Sequence, residues 1–151
     1  MSSIYNLRQI SGMLACSGQP SAGQFPLIAA EGYQVIINLG LADGKYALKE
    51  EGALVKQLGM TYHHIPVQFD DPQTGDLIAF FKLMNQHTSD KTLVHCAANY
   101  RASAFTGLYL FSTDRLNEDE MITFIEEVWQ PDAVWQQFIE ESVDSLKEQR
   151  F

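Results

Sequence analysis

The residues best equipped for chemistry sit together in Thr92-Leu93-Val94-His95-Cys96-Ala97-Ala98-Asn99-Tyr100-Arg101-Ala102-Ser103. A short apolar run delivers a histidine and a cysteine to a tight loop, the loop closes on Arg101, and a nearly all-apolar segment follows. A thiolate is a strong nucleophile, and a helix N-terminus beside a cation favours that charged form. Arg101 brings a permanent charge and a planar fork that matches the oxygens of a tetrahedral anion. Successive backbone N–H groups from Ala97 to Arg101 can curl into a nest for the same anion. His95 is placed to tune the thiol by hydrogen bonding through the loop backbone. The blander reading, a small core cysteine and a solvated arginine, accounts for Cys96. It does not account for an arginine between a tight loop and a buried helix. The chemistry implied is attack by sulfur on a bound oxyanion.

Such chemistry needs an acid on a loop over the pocket. Gln68-Phe69-Asp70-Asp71-Pro72-Gln73-Thr74-Gly75 is rich in breakers and acid. Asp70 and Asp71 form the acidic pair there, able to give a proton to a leaving oxygen and later take one from water; the competing reading is a solvated turn set by Pro72. Tyr100 is either a ring for an aryl substrate or a loop-packing aromatic. Asn38 either braces the loop from a neighbouring strand or is a satisfied buried amide. His63-His64 invites a metal reading, but adjacent strand residues point to opposite faces and do not share one ion. No metal site and no cofactor is expected. Cys16 and Cys96 form no metal-ligand pattern, so free thiols in a reducing compartment are expected. Cys16 is either buried or, if the N-terminal turn packs over the loop, a resolving thiol.

The elements that must position these groups follow from hydrophobic spacing. Tyr5 to Cys16 reads as two short strands turned at Ser11-Gly12. Ser21 and Gln24 have capping-box spacing ahead of a helix with Leu27, Ile28 and Ala30 inward, Pro26 near its start and Gly32 at its end. Val35-Ile36-Ile37-Asn38-Leu39 is typical of a strand covered on both faces. Ala47, Leu48, Leu54, Val55 and Leu58 give helical spacing up to Gly59. Met60 to Val67 reads as the next strand. Leu77, Ile78, Phe81 and Leu83 or Met84 mark an amphipathic helix to about His87. The strand ending at Cys96 comes next, then a central buried helix from Ala102 to about Asp114. Asn117 with Glu120 opens a further helix, and Pro131 starts the last, with Val134, Trp135, Phe138, Ile139 and Val143 inward. This alternation predicts a single α/β domain over residues 1–151, with a mostly parallel central sheet and helices on both faces. Ligands bind at the carboxyl ends of strands in such sheets, where Cys96 and Asp70-Asp71 both fall.

The net charge of −9 disfavours nucleic acid and anionic membrane as partners. It also repels a phosphorylated substrate at long range, so binding one requires a local positive pocket. No apolar run approaches the roughly 20 residues of a spanning helix, and the N-terminus lacks a signal-peptide pattern. A cytoplasmic location is expected; the oligomeric state has no sequence signature.

At these residues the chain resembles the protein tyrosine and dual-specificity phosphatases, whose signature is His-Cys, five residues, Arg, then Ser or Thr. His95, Cys96 and Arg101 match by type, with four residues between Cys96 and Arg101. That shorter loop resembles a bacterial subfamily of phosphatase-like proteins of unassigned function. Its pattern is Cys-x-x-Gly-x-Arg, and it occurs alone or fused to metallo-β-lactamase-like domains. Ser17-Gly18-Gln19-Pro20-Ser21 and Val35-Ile36-Ile37-Asn38-Leu39 resemble its early motifs. The resemblance implies a cysteine-phosphatase fold and a phosphocysteine intermediate, with Cys96 as nucleophile and Arg101 and the Ala97–Arg101 backbone holding phosphate. It also implies Asp71 as general acid, because in several phosphatase subfamilies that role falls to the second aspartate, placed before a helix-starting leucine as Asp71 is before Leu77. Two positions depart. Asn99 replaces a glycine whose place needs positive φ, and Asn is the best substitute there. Ala102 replaces a hydroxyl that hydrogen-bonds the sulfur; Ser103 is adjacent but about 100° around a helix.

Three functions compete. A phosphomonoesterase fits Cys96, Arg101 and Asp71. A rhodanese-like sulfurtransferase fits the short loop. A non-catalytic anion-binding module fits Asn99 and Ala102.

Overall fold

The structure is a computed structural model in which residues 1–148 are described. Five strands, β1 (Arg8–Gln9), β2 (Leu14–Ser17), β3 (Val35–Asn38), β4 (Thr61–His64) and β5 (Thr92–His95), lie in the order β1-β2-β5-β3-β4. β1 pairs antiparallel with β2, and the other three pairings are parallel. The apolar run of β5 is buried at every position because it lies in the middle of the sheet. Its carboxyl end, and hence Cys96, emerges between the loops that follow β2 and β3.

Alternation along the strands divides the core. Leu14, Cys16, Val35, Ile37 and Val94 face one side with α3 (Thr74–Gln86), α4 (Tyr100–Ser112), α5 (Glu118–Glu126) and α6 (Ala133–Lys147). Ala15, Ile36 and Leu93 face the other with α1 (Phe25–Ala30) and α2 (Glu51–Gln57). Helices therefore cover both faces. Helix α4 is buried from Arg101 to Leu110, matching its apolar circumference. Asn117 and Glu120 exchange both capping-box bonds at the start of α5, and Asp132 caps α6 through the N–H of Trp135.

Several boundaries differ from the sequence expectation. In α1 the buried residues are Phe25 and Ile28, whereas Leu27 is 48% exposed and Ala30 is exposed. The helix begins at Phe25, and a 3.6-residue period carries the core face through 25, 28 and 29. Val134 is likewise exposed, about 100° around from the fully buried Trp135. Strand β4 is only Thr61–His64, and Pro66 interrupts the run beyond it by lacking an N–H. Ala47 and Leu48 precede α2 rather than belonging to it, and α4 starts at Tyr100. Residues 149–151 of the expected domain lie outside the described residues.

Candidate active site

Cys96 follows β5 directly and is 1% exposed. Every carbonyl of its loop is turned to a named donor. The Cys96 carbonyl faces His95 Nδ1 at 3.3 Å, and that of Ala97 accepts from the Gln19 N–H at 3.0 Å. The Ala98 carbonyl accepts from Asn6 Nδ2 at 3.1 Å, and that of Asn99 from the Ser103 N–H at 2.9 Å. The N–H groups of Ala97, Ala98, Tyr100 and Arg101 meet no acceptor among the described residues. Part of that set is the unpaired first turn of α4, where the helix dipole is positive. Cys96 Sγ accepts from the Ala102 N–H at 3.4 Å.

Asn99 turns the chain with φ 73, and its Nδ2 donates to the Asn6 carbonyl at 2.9 Å. Gly18 closes the outside of the loop. A Cβ there would stand 2.8 Å from both the Ala97 carbonyl oxygen and Tyr5 Cδ2, so only glycine allows this approach. At Gly40 a Cβ would crowd Asn38 Oδ1 at 3.1 Å but would meet Cys96 Cα only at an ordinary 3.7 Å, so the constraint there comes from the Asn38 bond to the Gly40 N–H rather than from the loop.

Arg101 is held from the opposite side. Its Nη1 donates to the Val67 carbonyl at 2.8 Å, and its guanidinium lies 5.9 Å from the Phe69 ring centre. Its Nε is buried with no partner among the described residues. Phe69 is fixed in turn by Trp135 Nε1, which donates to its carbonyl at 2.7 Å. Tyr100 stacks on Trp129 with centroids 4.5 Å apart and planes 3° apart, so it packs the wall of the loop.

Asp70 and Asp71 are both exposed, and neither carboxylate has a hydrogen-bond partner among the described residues. The Asp71 backbone is set by its N–H on the Gln68 carbonyl and by Gln73 Nε2 on its own carbonyl. Cys96 is thus tied into the loop through the Ala102 N–H, the Arg101 guanidinium turns to the Val67 carbonyl and the Phe69 ring, and both acids stay outside these contacts. Ser103 is buried, with Oγ donating to the Tyr100 carbonyl rather than to sulfur. Asn38 accepts from the Gly40 N–H and donates to the Tyr62 hydroxyl, bracing the turn after β3. His63 and His64 have separate partners, His87 Nε2 at 2.9 Å and the Gly40 carbonyl at 2.6 Å. Cys16 is fully buried, and burial pushes its thiol up to about 12.

Sequence reasoning missed Glu51. This acid at the start of α2 is 3% exposed, its Oε2 lying 2.7 Å from His95 Nε2 and its Oε1 accepting from Gln19 Nε2 at 2.7 Å. Glu51 falls on the apolar stripe that Leu54, Val55 and Leu58 mark at helical spacing, so a carboxylate on a core-facing position was the available signal, although nothing in the sequence names its partner. Beside the loop lies an open cavity of about 670 Å³, lined by Tyr5, Gln19, Tyr46, Leu48, Ala97 and Ala98 among others.

No family model matches the chain. A candidate phosphatase (DUF442) of Shewanella putrefaciens CN-32 is 38% identical, with TM-score 0.87 over 96% of this chain and 95% of that one. A beta-lactamase hydrolase-like protein of Xylella fastidiosa is 31% identical over 115 residues, which is 74% of this chain and 26% of that protein. The chain therefore spans about a quarter of the length of the curated relatives it matches first. Tk-PTP in its active form has the same fold at 20% identity, with TM-score 0.76 over 95% of this chain and 97% of that one.

Proposed function

We propose that this chain, which belongs to the DUF442 family, is a cysteine-dependent phosphatase of the protein tyrosine and dual-specificity phosphatase-like superfamily, hydrolysing a phosphomonoester through a phosphocysteine intermediate; the shared fold of Tk-PTP and PTPMT1 supports this reading. The observation that carries this reading is the polarity of the loop. Its carbonyls are tied outward, and four N–H groups, with Arg101 beside them, have no protein acceptor among the described residues. That is an arrangement for an oxyanion.

The steps follow from the groups present. The Cys96 thiolate attacks phosphorus, forming the S–P bond as the P–O bond to the leaving group breaks. Asp71 gives its proton to the leaving oxygen. Arg101 and the loop N–H groups hold the three equatorial oxygens, which carry the charge of the transition state. Water then attacks phosphorus, Asp71 takes its proton, and the S–P bond breaks to release phosphate and thiolate. The Ala102 N–H supplies the sulfur with the hydrogen bond that a side-chain hydroxyl would give. Because Cys96 must stay reduced, the activity belongs in a reducing compartment such as the cytoplasm.

The test is release of phosphate from an aryl phosphate by wild type, Cys96→Ser and Asp71→Asn, with sulfur transfer from thiosulfate to cyanide measured alongside. Hydrolysis that disappears in Cys96→Ser and drops in Asp71→Asn supports the proposal. Sulfur transfer indifferent to Asp71 would replace it with a sulfurtransferase. Absence of both activities, with phosphate still bound by Cys96→Ser, would reduce the protein to an anion-binding module.

A further inference from the structure

No step above uses Glu51, yet burying a carboxylate is costly unless it is paired and hydrogen-bonded. We propose that Glu51 is a positioning residue for the nucleophile, acting through His95 on the Cys96 backbone. The inference rests on Cys96 being the nucleophile. His95 is fully buried and has an acceptor at each ring nitrogen, the Glu51 carboxylate at Nε2 (2.7 Å) and the Cys96 carbonyl at Nδ1 (3.3 Å). A carbonyl cannot donate, so Nδ1 carries a hydrogen; with Glu51 ionised, Nε2 carries the second, and this doubly protonated ring is part of what we propose. Two consequences follow. The Cys96 carbonyl is drawn away from the anion nest, and a positively charged ring stands behind the sulfur with its counter-charge one ring further away. Gln19 completes the circuit, its side chain donating to Glu51 and its N–H to the Ala97 carbonyl. Helix α2, the turn after β2 and the loop are thereby tied into one frame.

A carboxylate accepts at both oxygens; a carboxamide of the same shape cannot. In Glu51→Gln the Gln19 amide can turn over to accept from the new NH₂ group, so the hydrogen bonds of residue 51 survive but the negative charge facing His95 is lost, and Nε2 or Nδ1 gives up its hydrogen. Adding Gln19→Glu returns a negative charge to the circuit, because residue 51 then donates to the residue 19 carboxylate and accepts from His95. The Gln19 bond to the Pro20 carbonyl is the one loss.

The experiment has three readouts on the intact chain: ring-nitrogen NMR of His95, the rate of Cys96 alkylation by iodoacetamide at fixed pH, and kcat with KM for an aryl phosphate. Wild type is expected to show two ring hydrogens on His95 and Glu51→Gln one. Alkylation and kcat are expected to fall about 10- to 100-fold in Glu51→Gln, the usual scale for a residue that orients a functional group. KM should stay within about threefold, since the phosphate donors are untouched. The double variant should recover all three. A single ring hydrogen in wild type, unchanged alkylation in Glu51→Gln, or no recovery in the double variant would overturn the proposal. Wild type that hydrolyses nothing would sink the phosphatase reading instead, and the NMR and alkylation results would still decide the role of Glu51.

Discussion

The Cys96–Ser103 loop and the Val67–Gly75 segment lie on two sides of one arginine and are held in opposite ways. In the first, each carbonyl from Cys96 to Asn99 has a donor, the sulfur has an N–H, and Asn99 is locked in the left-handed region by its bond to Asn6. In the second, Val67 and Phe69 are pinned through their carbonyls by Arg101 and Trp135, but the two aspartates that follow are exposed, and their carboxylates have no partner among the described residues. On the proposed mechanism, nucleophile and cradle are organised before any ligand arrives, whereas the acid is attached by its base and left free at its tip. Such a division suits a proton donor that must approach a bound substrate and then make room for water.

Breaking the rigid side should cost most. Cys96→Ser is expected to lower hydrolysis of an aryl phosphate by on the order of 1000-fold or more, because no other group can form the covalent intermediate. Phosphate binding should persist, as measured by calorimetry. Arg101→Lys should follow at about 100- to 1000-fold in kcat/KM, since a point charge replaces a fork that also holds Val67. Retention of more than about a tenth of the activity would mean that a point charge serves the anion nearly as well as the planar fork.

On the exposed side, Asp71→Asn should lower kcat about 100-fold for a poor leaving group and less for an activated aryl ester that needs no proton. Asp70→Asn should leave both substrates unchanged; the reverse result would exchange the two roles. Asn99→Ala should destabilise the fold by about 1–2 kcal/mol in denaturant titration, the cost of a left-handed Ala, whereas Asn99→Gly should change it less.

The smallest effect lies away from both regions. Burial, and then the neighbouring His87, hold the His63 imidazole below its ordinary 6.5. The folded chain therefore binds fewer protons there than the unfolded chain, so this contribution is complete above pH 6.5 and declines as pH falls through it. His63→Gln should flatten that acidic decline in thermal melts without altering aryl phosphate turnover.

Much of this was legible from residue order. The run from Thr92 to Val94 had to be a strand, and an arginine between a short loop and an apolar helix had to face something other than water. Asn117 with Glu120 announced the start of α5 by capping chemistry alone. The partner of His95 could not be read, because Glu51 is distant in sequence: its place on the apolar stripe of α2 marks it as facing inward, but not what it meets there. The role of Ala102 was equally hidden. A missing hydroxyl is visible in sequence, but an N–H turned toward sulfur depends on the backbone path.

What the chain determines by itself is local: strand and helix periods, the left-handed tolerance of Asn99, and a thiol and a guanidinium a few residues apart. Tertiary structure alone decided that the loop's carbonyls turn outward, that Tyr100 packs on Trp129 rather than standing free, and that a buried carboxylate sits behind the histidine. Those outcomes depend on donors and rings brought from Asn6, Gln19, Glu51 and Trp129. Hydrogen bonds and packing act over a few ångströms, so only the folded chain could choose among such distant partners.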